Sequence, residues 1–109
     1  MQREIKFRAW DSKSQRMYYQ GEPDLEDIQS FFHHYNDNDV LMQFTGLTDK
    51  NGNEVYEGDV LFLKEGHNSW RTHVVFTERG WHRQYDYPVG EIIGNIYENP
   101  KIFKKNETP

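Results

Sequence analysis

The chain has 109 residues, with 13 basic against 18 acidic side chains, no cysteine, and only 35% hydrophobic residues. Without cysteine there is no disulfide scaffold, no Cys-ligated zinc or iron–sulfur cluster, and no thiol catalysis. No apolar run approaches the ~20 residues of a membrane helix, and no charged-then-apolar leader opens the sequence, so the expectation is a soluble cytoplasmic domain.

Aromatic residues make up for the shortage of aliphatic ones: 7 Phe, 7 Tyr and 3 Trp. The expected core is therefore thin and built largely from rings, each burying roughly 150–250 Å². Charge is unevenly spread. Arg3, Lys6, Arg8, Lys13 and Arg16 dominate the first 21 residues, whereas Lys50 is the sole lysine or arginine among ten acids between residues 22 and 59. That acidic middle repels a phosphate backbone and suits either a solvated surface or a basic partner.

In chain order, Ile5, Phe7 and Ala9 alternate with Lys6 and Arg8, the period of a half-buried strand. Asp11 to Gln15 is turn-like, and Met17-Tyr18-Tyr19 reads as the returning strand of a hairpin that Gly21 and Pro23 end. From Asp24 to Tyr35 the pattern changes to that of a short helix. Asp24 is placed to cap it, and Leu25, Ile28, Phe32 and Tyr35 recur at the spacing of one helical face. Asn36 to Asp39 stops it.

Strands are expected at Val40–Thr45, with Val40, Met42 and Phe44 on one side, and at Val60–Leu63. Asn51-Gly52 between them is the strongest short turn signal in the chain. A further hairpin is expected from Thr72–Thr77 and Trp81–Tyr85, with Glu78-Arg79-Gly80 as its loop, and a last strand at Glu91–Tyr97. Short strands with turns every 8–12 residues predict a small barrel or rolled sheet. The fold class is mainly β, with α+β character at the N-terminal part. The expected organisation is a hairpin plus helix over 1–39, an SH3-like small β-barrel over 40–100, and a flexible tail over 101–109, all forming one compact unit.

Four stretches carry a family resemblance. They are Ile5-Lys6-Phe7-Arg8-Ala9-Trp10-Asp11, Leu41-Met42-Gln43-Phe44-Thr45-Gly46-Leu47, Asp49-Lys50-Asn51-Gly52 with Val55-Tyr56-Glu57-Gly58-Asp59-Val60, and Ile93-Gly94-Asn95-Ile96-Tyr97-Glu98-Asn99-Pro100. In order and spacing they resemble the YopX family of phage and prophage proteins. The resemblance implies an SH3-type β-barrel roll and a phage setting, and it implies no reaction. The segment Trp70–Tyr87 and the lysine-bearing tail depart from the family pattern. The glycines of these motifs read as turn, bulge and close-approach positions, and Asp59 as an acceptor of backbone N–H groups.

The residues offer little chemistry. Asp49, Asn51 and Asn53 superficially match the first ligands of a calcium loop, but Glu54 stands where the loop needs glycine and Val60 where it needs glutamate. His33, His34, His67, His73 and His82 form no metal-binding spacing. The reading is therefore no catalytic residue, no metal and no cofactor, leaving an enzyme with an unrecognised site as the weakest alternative. The hairpin offers more. Pairing Thr77 with Trp81 places His73, Trp81, Arg83 and Tyr85 on one face, joined by Trp70. Tyr, Trp and Arg dominate binding hot spots, which predicts a surface for an unknown phage or host protein or for a second copy of the chain. The competing reading is that Trp81 and Tyr85 cap the barrel core, with Arg83 stacked beside them. A second function class is single-stranded nucleic acid held by the aromatic and basic side chains of residues 70–87.

Overall fold

A computed structural model describes residues 5–77, 80–81 and 90–102. The chain is mainly β, with one short helix among the described residues, in the class of small β-barrel-like folds, as expected. It divides into two compact units, Met1–Phe44 and Thr45–Pro109.

In the first unit, β1 (Phe7–Asp11) and β2 (Arg16–Tyr19) form the expected hairpin, with Ala9 opposite Tyr18 and Asp11 opposite Arg16. Its turn is made by Asp11, whose carboxylate accepts the N–H groups of Lys13 at 3.0 Å and Ser14 at 3.3 Å. The helix α1 (Ile28–His34) follows, and then β3 (Val40–Thr48). The first part of β3 pairs antiparallel with β1, Ala9 opposite Leu41 and Arg8 opposite Met42.

The helix differs from expectation in two ways. It starts later, capped by Asp27 rather than Asp24, with a reciprocal capping box between Asp27 and Ser30. The reason is local. Gly21 to Leu25 close a tight turn, Gly21 N–H to Leu25 O at 2.7 Å and Leu25 N–H to Glu22 O at 2.8 Å. That turn leaves Asp24 at φ 73°, whereas a cap residue needs extended backbone. The buried face also differs. Phe31 is fully buried with Ala9, Tyr18 and Leu25, while Ile28 and Phe32 of the anticipated stripe are 43% and 38% exposed. Leu25 enters the core from the turn, so the helix is free to rotate Phe31 inward.

Tyr18 anchors the segment after the helix. Its hydroxyl donates to the Asp39 carboxylate at 2.5 Å, and the Tyr35 hydroxyl donates to Asp39 O at 3.2 Å. Burial, then the bond to Asp39, holds the Tyr18 phenol well above its ordinary pKa. Removing the hydroxyl with Tyr18→Phe is expected to lower stability by about 1.5–2 kcal/mol, the scale of a hydrogen bond to a charged acceptor. Urea unfolding with a tyrosine-independent probe, far-UV circular dichroism, checks it.

In the second unit, the strands are β4 (Glu54–Tyr56), β5 (Asp59–Glu65), β6 (Asn68–His73), β7 (Phe76–Thr77), β8 (Gly80–Trp81) and β9 (Glu91–Asn95). β4 neighbours β3, and β5 lies between β6 and β9. Val55, Leu61, Leu63 and Val74 form the core, with Leu47, Trp70 and Ile92 packed against it. The ladder from β5 to β9 shifts register between Val60 and Leu61: Gly94 faces Val60 and Ile92 faces Leu61, so Ile93 is the bulged residue. Such bulges bend a strand and sharpen its twist, as a rolled sheet requires.

Three expectations change here. The strand drawn at Thr72–Thr77 is interrupted. Its first residues belong to β6, which pairs along β5 from Val60 opposite His73 to Glu65 opposite Asn68. The turn at Gly66, φ 61°, makes that hairpin, and the chain then breaks at Val74. Val74 instead exchanges bonds with the start of β5, donating to Asp59 O at 2.9 Å and accepting from Gly58 N–H at 3.0 Å. The register of the next hairpin is also displaced by one, Phe76 opposite Trp81 and Thr77 opposite Gly80, because the loop between the paired residues is Glu78-Arg79 alone. The face assignments built on Thr77 opposite Trp81 fall with it. Finally, β9 ends at Asn95, and ordered chain continues past Lys101: Arg71 donates to Ile102 O at 2.7 Å. The rest of the anticipated flexible tail, from 103 onward, lies outside the described residues.

Candidate functional site

Of the five residues singled out as a contact surface, three are placed. Trp70 is half-buried in β6 against the core of the second unit. His73 closes β6, half-buried and opposite Val60. Trp81 occupies β8 opposite Phe76. Arg83 and Tyr85 lie outside the described residues, as does His82.

The polar motif residues have structural work. Asp49 is buried, and its carboxylate accepts N–H groups from Asn51 at 2.9 Å, Asn53 at 2.9 Å and Ile92 at 3.0 Å. One oxygen thus closes the Asn51-Gly52 turn and the other ties that turn to β9. Burial pushes this carboxyl up, but the bonds from Ile92, Asn53 and Asn51 together outweigh it and hold its pKa below the ordinary value. Within the calcium-like spacing, Asp49 binds backbone, and Asn51 and Asn53 supply the N–H groups it accepts. Asp59 accepts the Tyr56 N–H at 2.7 Å, as anticipated for a turn acceptor. Thr45 donates to Val55 O at 2.8 Å and accepts from Leu47 N–H at 3.1 Å.

The final motif is a cap. The Asn95 side-chain oxygen accepts the N–H groups of Tyr97 at 3.0 Å and Glu98 at 2.8 Å, and its amide donates to Glu98 at 2.7 Å. Asn99 returns to the Asn95 N–H at 3.1 Å. The last strand expected from the sequence runs through Asn95 rather than ending at this cap, and the reach of Asp49 across 43 positions to Ile92 has no local signal.

Among the described residues, no three His, Asp or Glu side chains are grouped to hold a metal ion, and no helix is long and apolar enough to cross a membrane. A polar hollow of about 450 Å³ is lined by Asp11, Ser12, Lys13, His34, Asn36, Asn38 and Asp39. Its acid Asp39 is engaged by Tyr18, and Asp11 by its own turn. A shallower depression runs beside α1 past Asp24, Asp27, Ser30 and His33. What sequence patterning did not foresee is the apolar rim of this unit, Ile28 and Phe32. The helical stripe contained both residues, but spacing alone does not say which of two overlapping stripes is buried.

The fold is shared with protein EF1440 from Enterococcus faecalis, whose crystal structure superposes with a TM-score of 0.65 at 22% identity, covering 94% of this chain and 99% of that one. No curated protein matches the sequence. The family model described as YopX protein matches residues 6–104, nearly the whole chain, and the chain thus belongs to the YopX family and is a phage-related protein.

Proposed function

We propose that this YopX-family chain is a non-enzymatic phage accessory protein that works through protein–protein contacts or self-association, in the cytoplasm of the phage-bearing or infected bacterium. One observation supports this above the others. The carboxylate and amide groups of the family motifs, Asp49, Asp59 and Asn95, are spent on backbone N–H groups, whereas large apolar side chains stand exposed. A protein that binds others needs a rigid frame and solvent-facing apolar groups; a catalyst needs polar groups held in reserve. The hairpin segment with Trp81, Arg83 and Tyr85 is the contact surface of this reading, with Trp70 and His73 in β6.

The test replaces Trp81 and Arg83 by alanine and checks the fold by circular dichroism. Mass by light scattering and the set of proteins captured from infected-host lysate are then compared with those of the unaltered chain. The expected result is an intact fold with a lower mass or a lost partner. An intact fold with unchanged mass and unchanged partners overturns the assignment. Salt-dependent retention of the unaltered chain on a polyanion column, lost in the variant, replaces it with nucleic-acid binding.

A further inference from the structure

The exposed apolar groups of the first unit gather on one side of its sheet. Ile28 and Phe32, one helical turn apart, are 43% and 38% exposed. Phe32 is anchored beneath by edge contacts to Phe7 at 5.3 Å, Phe31 at 5.1 Å and Tyr35 at 5.8 Å. Leu41, 37% exposed, sits opposite Ala9, and cross-strand partners share a face. Ala9 packs in the same cluster as Phe31, so Leu41 belongs to the helix-covered side. A ring held by three others and open to solvent on its outer side is a preorganised contact, since little side-chain freedom remains to be lost on binding.

Charge identifies what covers this face. Asp24, Glu26 and Asp27 immediately precede Ile28 in the chain, Asp37 follows the helix, all four are exposed, and no lysine or arginine occurs from Met17 to Asp49. The nearest sequence base before that span, Arg16, is already paired with Glu22 at 2.6 Å. A second copy docking through the same face sets the same acids against each other, with Lys13, in the hollow beside His34, as the nearby base. An anionic lipid surface is repelled in the same way.

We infer that the α1 face is the docking site for a basic amphipathic segment of another protein, its apolar side on Ile28, Phe32 and Leu41 and its lysines or arginines against the flanking carboxylates. This rests on the reading that the protein acts through contacts, though not on the aromatic hairpin. Helix-face recognition uses anchors one turn apart, as Ile28 and Phe32 are, and the carboxylates select against acidic partners.

The probe is a synthetic helical peptide of about eighteen residues with leucines along one side and lysines along the other, followed by fluorescence anisotropy with the full chain. Binding is expected, weakening as salt rises. The double variant Ile28→Ser/Phe32→Ser, with its fold checked by circular dichroism, is expected to lose about tenfold or more in affinity. Asp24→Asn/Glu26→Gln is expected to lose less and to flatten the salt dependence. Equal binding of a leucine–glutamate peptide, unaltered affinity in both variants, or a self-association that Ile28→Ser/Phe32→Ser abolishes each overturns the proposal. None of these results bears on Trp81→Ala/Arg83→Ala, so failure here is distinguishable from failure of the contact reading itself.

Discussion

Gly94→Ala is expected to destabilise the protein by about 2–4 kcal/mol, in the range of core overpacking combined with backbone strain. Gly94 has φ +155°, and a Cβ there meets Asn99 Oδ1 at 2.5 Å, Asn99 Cγ at 3.0 Å and Ile102 Cδ1 at 3.0 Å. Asn99 cannot move aside freely, because its Oδ1 accepts the Asn95 N–H. Ile102 is held through its carbonyl by Arg71. The substitution therefore works against the bulge, the cap and the chain beyond it at once. Urea unfolding measures the loss. In an Asn99→Ala background the same substitution is expected to cost less, because part of the clash is gone while the backbone strain remains. Equal costs in the two backgrounds contradict the steric account.

Asp49→Ala is expected to cost about 2–4 kcal/mol, because three part-buried N–H groups lose their charged acceptor, and a hydrogen bond to a charged group contributes about 1.5–3 kcal/mol. Asp49→Asn keeps one acceptor oxygen and is expected to cost less. The charge also gives a pH signature. The Asp49 carboxyl titrates below its ordinary value in the folded chain, so the unfolded chain binds its proton first as pH falls. Its stabilisation is fully present above the ordinary aspartate pKa of about 3.9 and is lost as pH falls through the lower folded value. Asp11, through the Ser14 hydroxyl and backbone, and Asp27, through the Ser30 backbone and hydroxyl, are shifted the same way. Asp49→Asn should therefore reduce the acid-side loss of stability without abolishing it. A stability–pH curve parallel to that of the unaltered chain excludes the buried-anion role.

Period-two patterning located β1 from Ile5, Phe7 and Ala9, although Arg8, Ala9 and Trp10 are all buried and both faces of the strand are covered, and the Asn51-Gly52 signal located the turn that Asp49 closes. The family motifs carried the fold class because their residues are the turn, cap and bulge positions of that fold. Two things were not legible. The helix offered Leu25, Ile28, Phe32 and Tyr35 as a stripe, but Phe31 wins the core once the Gly21–Leu25 turn supplies Leu25 from outside the helix. Strand β6 reads Asn68-Ser69-Trp70-Arg71-Thr72-His73 and carries little apolar alternation. Its ladder with β5 holds it, and backbone pairing leaves no side-chain period to read. The contact surface at residues 70–85 rested on a hairpin register that one residue of loop length decides.

The central claim is that the motif residues build the frame and the solvent-facing side chains make the contacts. The most direct measurement captures partners from infected-host lysate with matched, folded variants of each kind. Asp49→Asn is predicted to recover partners in proportion to its folded fraction. Ile28→Ser/Phe32→Ser or Trp81→Ala/Arg83→Ala is predicted to lose them with the fold intact. Full recovery by both surface variants, with loss in a folded Asp49→Asn protein, would contradict the account and move the function into the motifs.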